Sequence, residues 1–234
     1  MTSYFDHFII IQIINPYITD SFIVIFFVII LYYFLSFNIS IIPSRLQNIV
    51  EIIIEHWVLV IQENLGLKFK YYVLPLTTLF MFILGMNLLG FFLFTFPSTT
   101  HITITFGMAI IVWSGVMIFG FINFKSSFLS IFMPTGAPLG LSPLLVIIEI
   151  VSNVSRPVAL GMRLAANLTA GHILLAILAD FGCKLLFYSY SISNLFPIFI
   201  IIFMTGLEMG VLIIQAYVFC LLSMIYLKDS VELH

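Results

Sequence analysis

Glu149, Arg156, Arg163, His172, Glu208 and Asp229 stand in two runs of chain that are otherwise mostly apolar. Carrying an ionisable group into lipid costs about 2.5–3.5 kcal/mol on insertion scales, so each calls for a partner or a function. At 100° per residue, Asn153, Arg156, Arg163 and Asn167 all fall within about 40° of Glu149, one polar stripe along one helix. Gln215, Tyr226 and Asp229 fall within about 60° of Glu208 and make a second stripe. The stripes are nearly symmetric about the turn-like segment Tyr188 to Asn194. Folded back near Ser189, they bring Glu149 level with Asp229, Arg163 with Gln215, and His172 with Glu208. From the rise of 1.5 Å per residue, Arg163 then lies about 21 Å from Glu149 and about 13 Å from His172.

That order has a chemical meaning. A carboxylate pair at one level and a His/Glu pair at another can each take up and release a proton, whereas the guanidinium between them stays charged and cannot relay one. Two half-paths that do not join are the result. A carboxyl group on a moving neighbour would be neutral against lipid and ionised beside Arg163, so each passage would hand a proton from one half-path to the other. One charge crossing 100 mV releases about 2.3 kcal/mol, which is the drive available.

The elements that must hold these residues are membrane helices. Of 234 residues, 62% are hydrophobic and 8% charged, and the mean hydropathy is +1.24; a soluble domain carries about 25% charged residues. Eight Lys and Arg against ten Asp and Glu leave a formal charge of −2 with no basic tail, so nucleic acid is excluded as a partner and lipid is expected. A bilayer core about 30 Å thick needs about 20 apolar residues per helix, and charge gaps locate them. The expectation is an all-α integral membrane protein in one domain, residues 1–234: a first span at 16–40, an interfacial amphipathic helix at 43–70, a helical hairpin at 71–124 broken around Pro97, and a long hairpin at 138–229. In the interfacial stretch Arg45, Asn48, Glu51, Glu55 and Gln62 share one side, and Ile49, Ile52, Ile53 and Trp57 lie elsewhere. Its carboxylates and His56 read as a solvated face. Each arm of the last hairpin is about twice too long for an upright span, so each is either broken, with Pro157 and Pro197 as local permits, or strongly tilted.

Lysines and arginines, counted by loop, place the N-terminus outside and the interfacial helix, Lys125 and the C-terminus inside, with the Lys184 turn as the exception. Met1 to Asn15 shows neither a transit nor a signal peptide pattern. Cys183 and Cys220 lack a CxxC or a nearby His and read as small hydrophobes; no metal or cofactor is expected.

The run from Arg156 through Pro157, Gly161, Arg163, Asn167 and Gly171 to His172 resembles the signature helix of subunit a of F-type ATP synthases. Glu208, the stretch Ile214-Gln215-Ala216-Tyr217-Val218-Phe219 and the ending Tyr226-Leu-Lys-Asp229-Ser resemble its last helix. Two motifs thus match in order across Glu149 to Asp229, and the rest of the chain matches in layout. The resemblance implies that Arg163 is the family's essential arginine, facing a rotating ring of c subunits whose carboxylates carry protons. It implies that His172 and Glu208 line the outer half-channel, that Glu149 and Asp229 line the inner one, and that Asn167 and Gln215 orient the arginine. It also implies a long hairpin lying nearly flat in the membrane, peripheral-stalk and other membrane-sector subunits as partners, a chain that is not an enzyme by itself, and a place in the mitochondrial inner membrane. The pairing of His172 with Glu208 resembles mitochondrial members.

Competing readings are weaker. A proton-coupled secondary transporter would also put His, Glu and Arg at mid-membrane, but that class shows internal repeats, and the 149–172 pattern has no second copy. A membrane hydrolase would need GxSxG, HExxH or a paired-Asp motif, and none occurs. Arg156 reads as a structural or interfacial cation, Lys184 with Asp180 as a solvated turn, and His101 as a loop residue.

Overall fold

Six helices carry the computed structural model, which describes residues 20–37, 40, 43–92, 98–125, 128, 142–188 and 195–231. The opening Met1 to Asn15, the Pro97 break and the turn at Ser189 lie outside those residues. The helices are α1 (Asp20–Phe37), α2 (Arg45–Leu65), α3 (Val73–Phe92), α4 (Ile102–Phe124), α5 (Ser142–Tyr188) and α6 (Leu195–Val231), with a 3-10 stretch, Leu67–Tyr72, leading into α3. Four helical stretches have the length and composition to cross a membrane, and α1 contributes a shorter apolar run, Ser21–Tyr33. The protein is an all-α integral membrane protein.

The boundaries of α2 are written in its caps. Ser44 stands extended before the helix and its hydroxyl accepts from the backbone N–H of Gln47, answering one of the donors that every helix start leaves open. At the other end Gly66, at φ +83°, takes a conformation that a side chain disfavours, and its N–H closes onto the carbonyl of Gln62. Between the caps the helix is two-faced: Trp57 and Ile61 are fully buried, while Arg45, Glu51, Glu55 and Glu63 are exposed, as are the apolar Ile49 and Ile52.

Trp57 is the link between this helix and the rest. It joins Phe80 and Ile83 of α3, Ala109 of α4, Leu160 and Leu164 of α5, and Ala216, Phe219 and Cys220 of α6 in one core. The outward faces of the long helices remain apolar and open, as expected of surfaces that meet lipid rather than water. On the far side α1 packs through Val24 and Val28 against Met86 of α3, and the Tyr32 hydroxyl donates to the carbonyl of Met81.

Both arms of the last hairpin are single helices, of 47 and 37 residues. At 1.5 Å per residue they reach about 70 and 55 Å, roughly twice the hydrocarbon thickness. Pro197 falls in the first turn of α6, where no hydrogen bond is lost. Pro157 lies inside α5 and the helix runs through it. Of the two options open to a run of this length, α5 and α6 take the unbroken one.

Candidate functional site

α5 and α6 bring the two polar stripes together at three levels. At the first, Nε2 of His172 and Oε1 of Glu208 are 3.8 Å apart. The Glu208 carboxyl is buried, and neither its oxygens nor Nε2 of His172 has a hydrogen-bond partner among the described residues. The room for that carboxyl comes from Gly171: a Cβ there would stand 2.7 Å from Glu208 Oε1.

The middle level holds the arginine. The amide of Asn167 donates to Oε1 of Gln215 at 3.0 Å, tying α5 to α6 one turn from Arg163. Gln215 is buried and Asn167 exposed, so the bond spans from the helix seam to the open face. Arg163 is exposed, and none of the ion pairs or hydrogen bonds among the described residues includes it. Its neighbours on the same face of α5, Ala159, Ala166, Asn167 and Ala170, are open as well. On α6, Leu207, Val211 and Ile214 are exposed and apolar. A permanent cation thus stands on a surface of small and apolar side chains, the kind of flank that lets another helix approach closely.

At the third level Arg156 gathers both inner carboxylates. Its Nη1 lies 3.1 Å from Oδ2 of Asp229, its Nη2 is 4.0 Å from Oε1 of Glu149, and its guanidinium carbon sits 5.0 Å from the centre of the Tyr226 ring. Arg156, read from the sequence as a structural or interfacial cation, is the member that connects Glu149 to Asp229. All three are partly open to solvent, with side-chain exposures of 26%, 36% and 48% for Arg156, Glu149 and Asp229.

Other residues settle elsewhere. Asn153, on the polar stripe by helical angle, is buried against α4 instead, where Trp113 Nε1 donates to its Oδ1 at 3.0 Å. The ring of His56 is exposed, yet it reaches across from α2 to Tyr217, with Nε2 3.4 Å from the hydroxyl. No spacing rule within one helix signals such a contact. Lys184 pairs with Asp180 at 2.7 Å on an exposed turn of α5. Cys183 and Cys220 are free, and among the described residues no three His, Cys, Asp or Glu converge as a metal site.

What this arrangement can do is hold protons at two separated stations with a fixed positive charge between them. Comparison with known proteins gives the family of the chain. Residues 18–228 match the family described as ATP synthase A chain. The chain is also 44% identical, over 232 residues covering 99% of both chains, to a protein of Metridium senile named ATP synthase subunit a. Match, helix layout and stripes agree: the chain belongs to the ATP synthase A chain family, a non-catalytic membrane-sector subunit of that complex.

Proposed function

We propose that the chain is the proton-conducting stator of that membrane sector, in the mitochondrial inner membrane, with its N-terminus toward the intermembrane space and its C-terminus toward the matrix. His172 and Glu208 take protons from the outer side, Glu149 and Asp229 release them to the inner side, and Arg163 keeps the two half-channels apart. Asn167 and Gln215 hold the polar ground beside the arginine. The partner is a ring of c subunits whose carboxylates travel past Arg163, with peripheral-stalk and other membrane-sector subunits and lipid around the rest. A ring carboxyl leaving lipid loses its proton beside the guanidinium and regains one at the other half-channel. Proton flow therefore requires ring rotation, and ATP synthesis elsewhere in the complex draws on that rotation.

The observation that carries this reading is the exposure of Arg163, unpaired among the described residues, on an apolar flank between two proton-carrying pairs. A bare guanidinium at membrane depth is costly unless another chain brings it a counter-charge. The orientation is supported by the positive charges of Arg45, Lys68, Lys70, Lys125 and Lys228 on the side read as the matrix.

Two substitution pairs test the half-channels in the complete complex in liposomes. His172→Ala and Glu208→Gln each slow proton-driven ATP synthesis by about a hundredfold or more, the lower reach of a lost proton-transfer group. Unchanged rates in both variants would remove the outer half-channel from the account. Arg156→Ala lowers synthesis far less than loss of Arg163, by about fivefold, because its partners are solvent-accessible and an ion pair of that kind contributes little. Rates in the two arginine variants that are equal, measured per assembled complex, contradict the division of labour between them.

A further inference from the structure

Pro157 has no backbone N–H to give the carbonyl of Asn153, so α5 lacks one ladder hydrogen bond in the turn 153–157. That turn carries Arg156. It is also the turn that α4 holds from outside: Trp113 Nε1 donates to Asn153 Oδ1 at 3.0 Å, and the Asn153 amide donates in turn to the Met117 sulfur at 3.5 Å. Asn153 is four residues from Glu149 and three from Arg156, so the bond fixes α5 within one helical turn of both. The approach that makes this reach short is visible two turns on, where a Cβ at Gly161 would stand 3.2 Å from the Cα of Phe106. α6 presents Tyr226 and Asp229 to the same stretch of α5.

We infer that the Trp113–Asn153 hydrogen bond braces the proline-weakened turn of α5 and thereby aims Arg156 and Glu149 at Asp229, which makes Trp113 and Asn153 positioning residues of the inner proton station. The inference rests on reading Glu149 and Asp229 as the inner half-channel. A bent or rotated turn would carry the Arg156 guanidinium away from a contact that is only 3.1 Å long, while His172 and Glu208, more than three turns further along, would keep their spacing. The brace therefore acts on one half-channel and spares the other.

The test uses the complete complex in liposomes, with rates expressed per assembled complex and pH varied on one side at a time. Asp229→Asn comes first: a displaced inner-side pH profile supports the inner half-channel, and an unmoved one overturns that reading and the brace with it. Trp113→Phe and Asn153→Leu are then each expected to slow synthesis about threefold, the scale of one net hydrogen bond, and to displace the inner-side profile while leaving the outer-side profile in place. The double variant separates aim from burial. Removing both polar partners leaves no orphaned buried group, so assembly recovers in the double variant. If the inner-side profile stays displaced there, direction of the bond is what matters; if it returns to that of the unsubstituted complex, the bond is mere packing and the inference fails. Should the double variant not assemble, Trp113→Phe decides alone: displacement on the inner side only sustains the brace, and displacement on both sides or neither overturns it.

Discussion

Arg163→Ala is expected to abolish proton-driven ATP synthesis in complexes that assemble normally. At about 4 Å and an effective dielectric of about 20, a guanidinium and a carboxylate attract by about 4 kcal/mol. Without that term a ring carboxyl arriving from lipid has no reason to ionise, and the fraction competent for release falls by about a thousandfold. The loss leaves the fold intact, since Arg163 is exposed and makes no ion pair with the described residues. Arg163→Lys tests charge against shape. An ammonium is a compact point charge that can give up its proton when desolvated, so the lysine variant should retain at most a small part of the rate. Copurified ring and unimpaired synthesis in Arg163→Ala would end the proposed mechanism outright.

How much of this was legible in the sequence follows from which forces act within one helix and which between helices. The apolar helices follow from charge gaps, because lipid excludes charge from any run that crosses it. The convergence of His172 with Glu208 follows from symmetry about one turn, a matter of counting once two helices are antiparallel. The helical wheel put Arg156 on the same stripe as Glu149 but could not say that its guanidinium would reach across to α6. Nor could it say that Asn153, on that stripe too, would turn to Trp113 on α4. Both outcomes depend on where α4 and α6 sit around α5, and that is set by close approach at Gly161 and by core side chains distributed over five helices. Pro157 shows a second limit. In water a mid-helix proline usually ends or kinks the element, whereas a membrane helix keeps its remaining bonds because nothing outside offers better ones.

Trp57→Ala should be the most damaging change outside the polar stripes. Trp57 has no exposed surface, and its ring lies 5.6 Å from Phe80 and 5.5 Å from Tyr217, so one side chain ties α2 to both α3 and α6. Removing a buried tryptophan costs about 3–5 kcal/mol in a water-soluble core. Here the value should sit near the lower end, because lipid receives apolar surface as readily as protein does and what is lost is packing rather than transfer from water. Even about 3 kcal/mol is enough to let α2 part from the helices, since only Trp57 and Ile61 are buried along its whole length. Ile49→Ala gives the contrast: the residue is on the same helix but 56% exposed, and its truncation should leave assembly unchanged. The measurement is the yield and thermal midpoint of the assembled complex in mild detergent, together with the proteolytic susceptibility of 45–65. Loss of assembly in Trp57→Ala alone places α2 as a structural strut of α6; equal behaviour of the two variants would mean that α2 is held by other chains and that the Trp57 contacts contribute little.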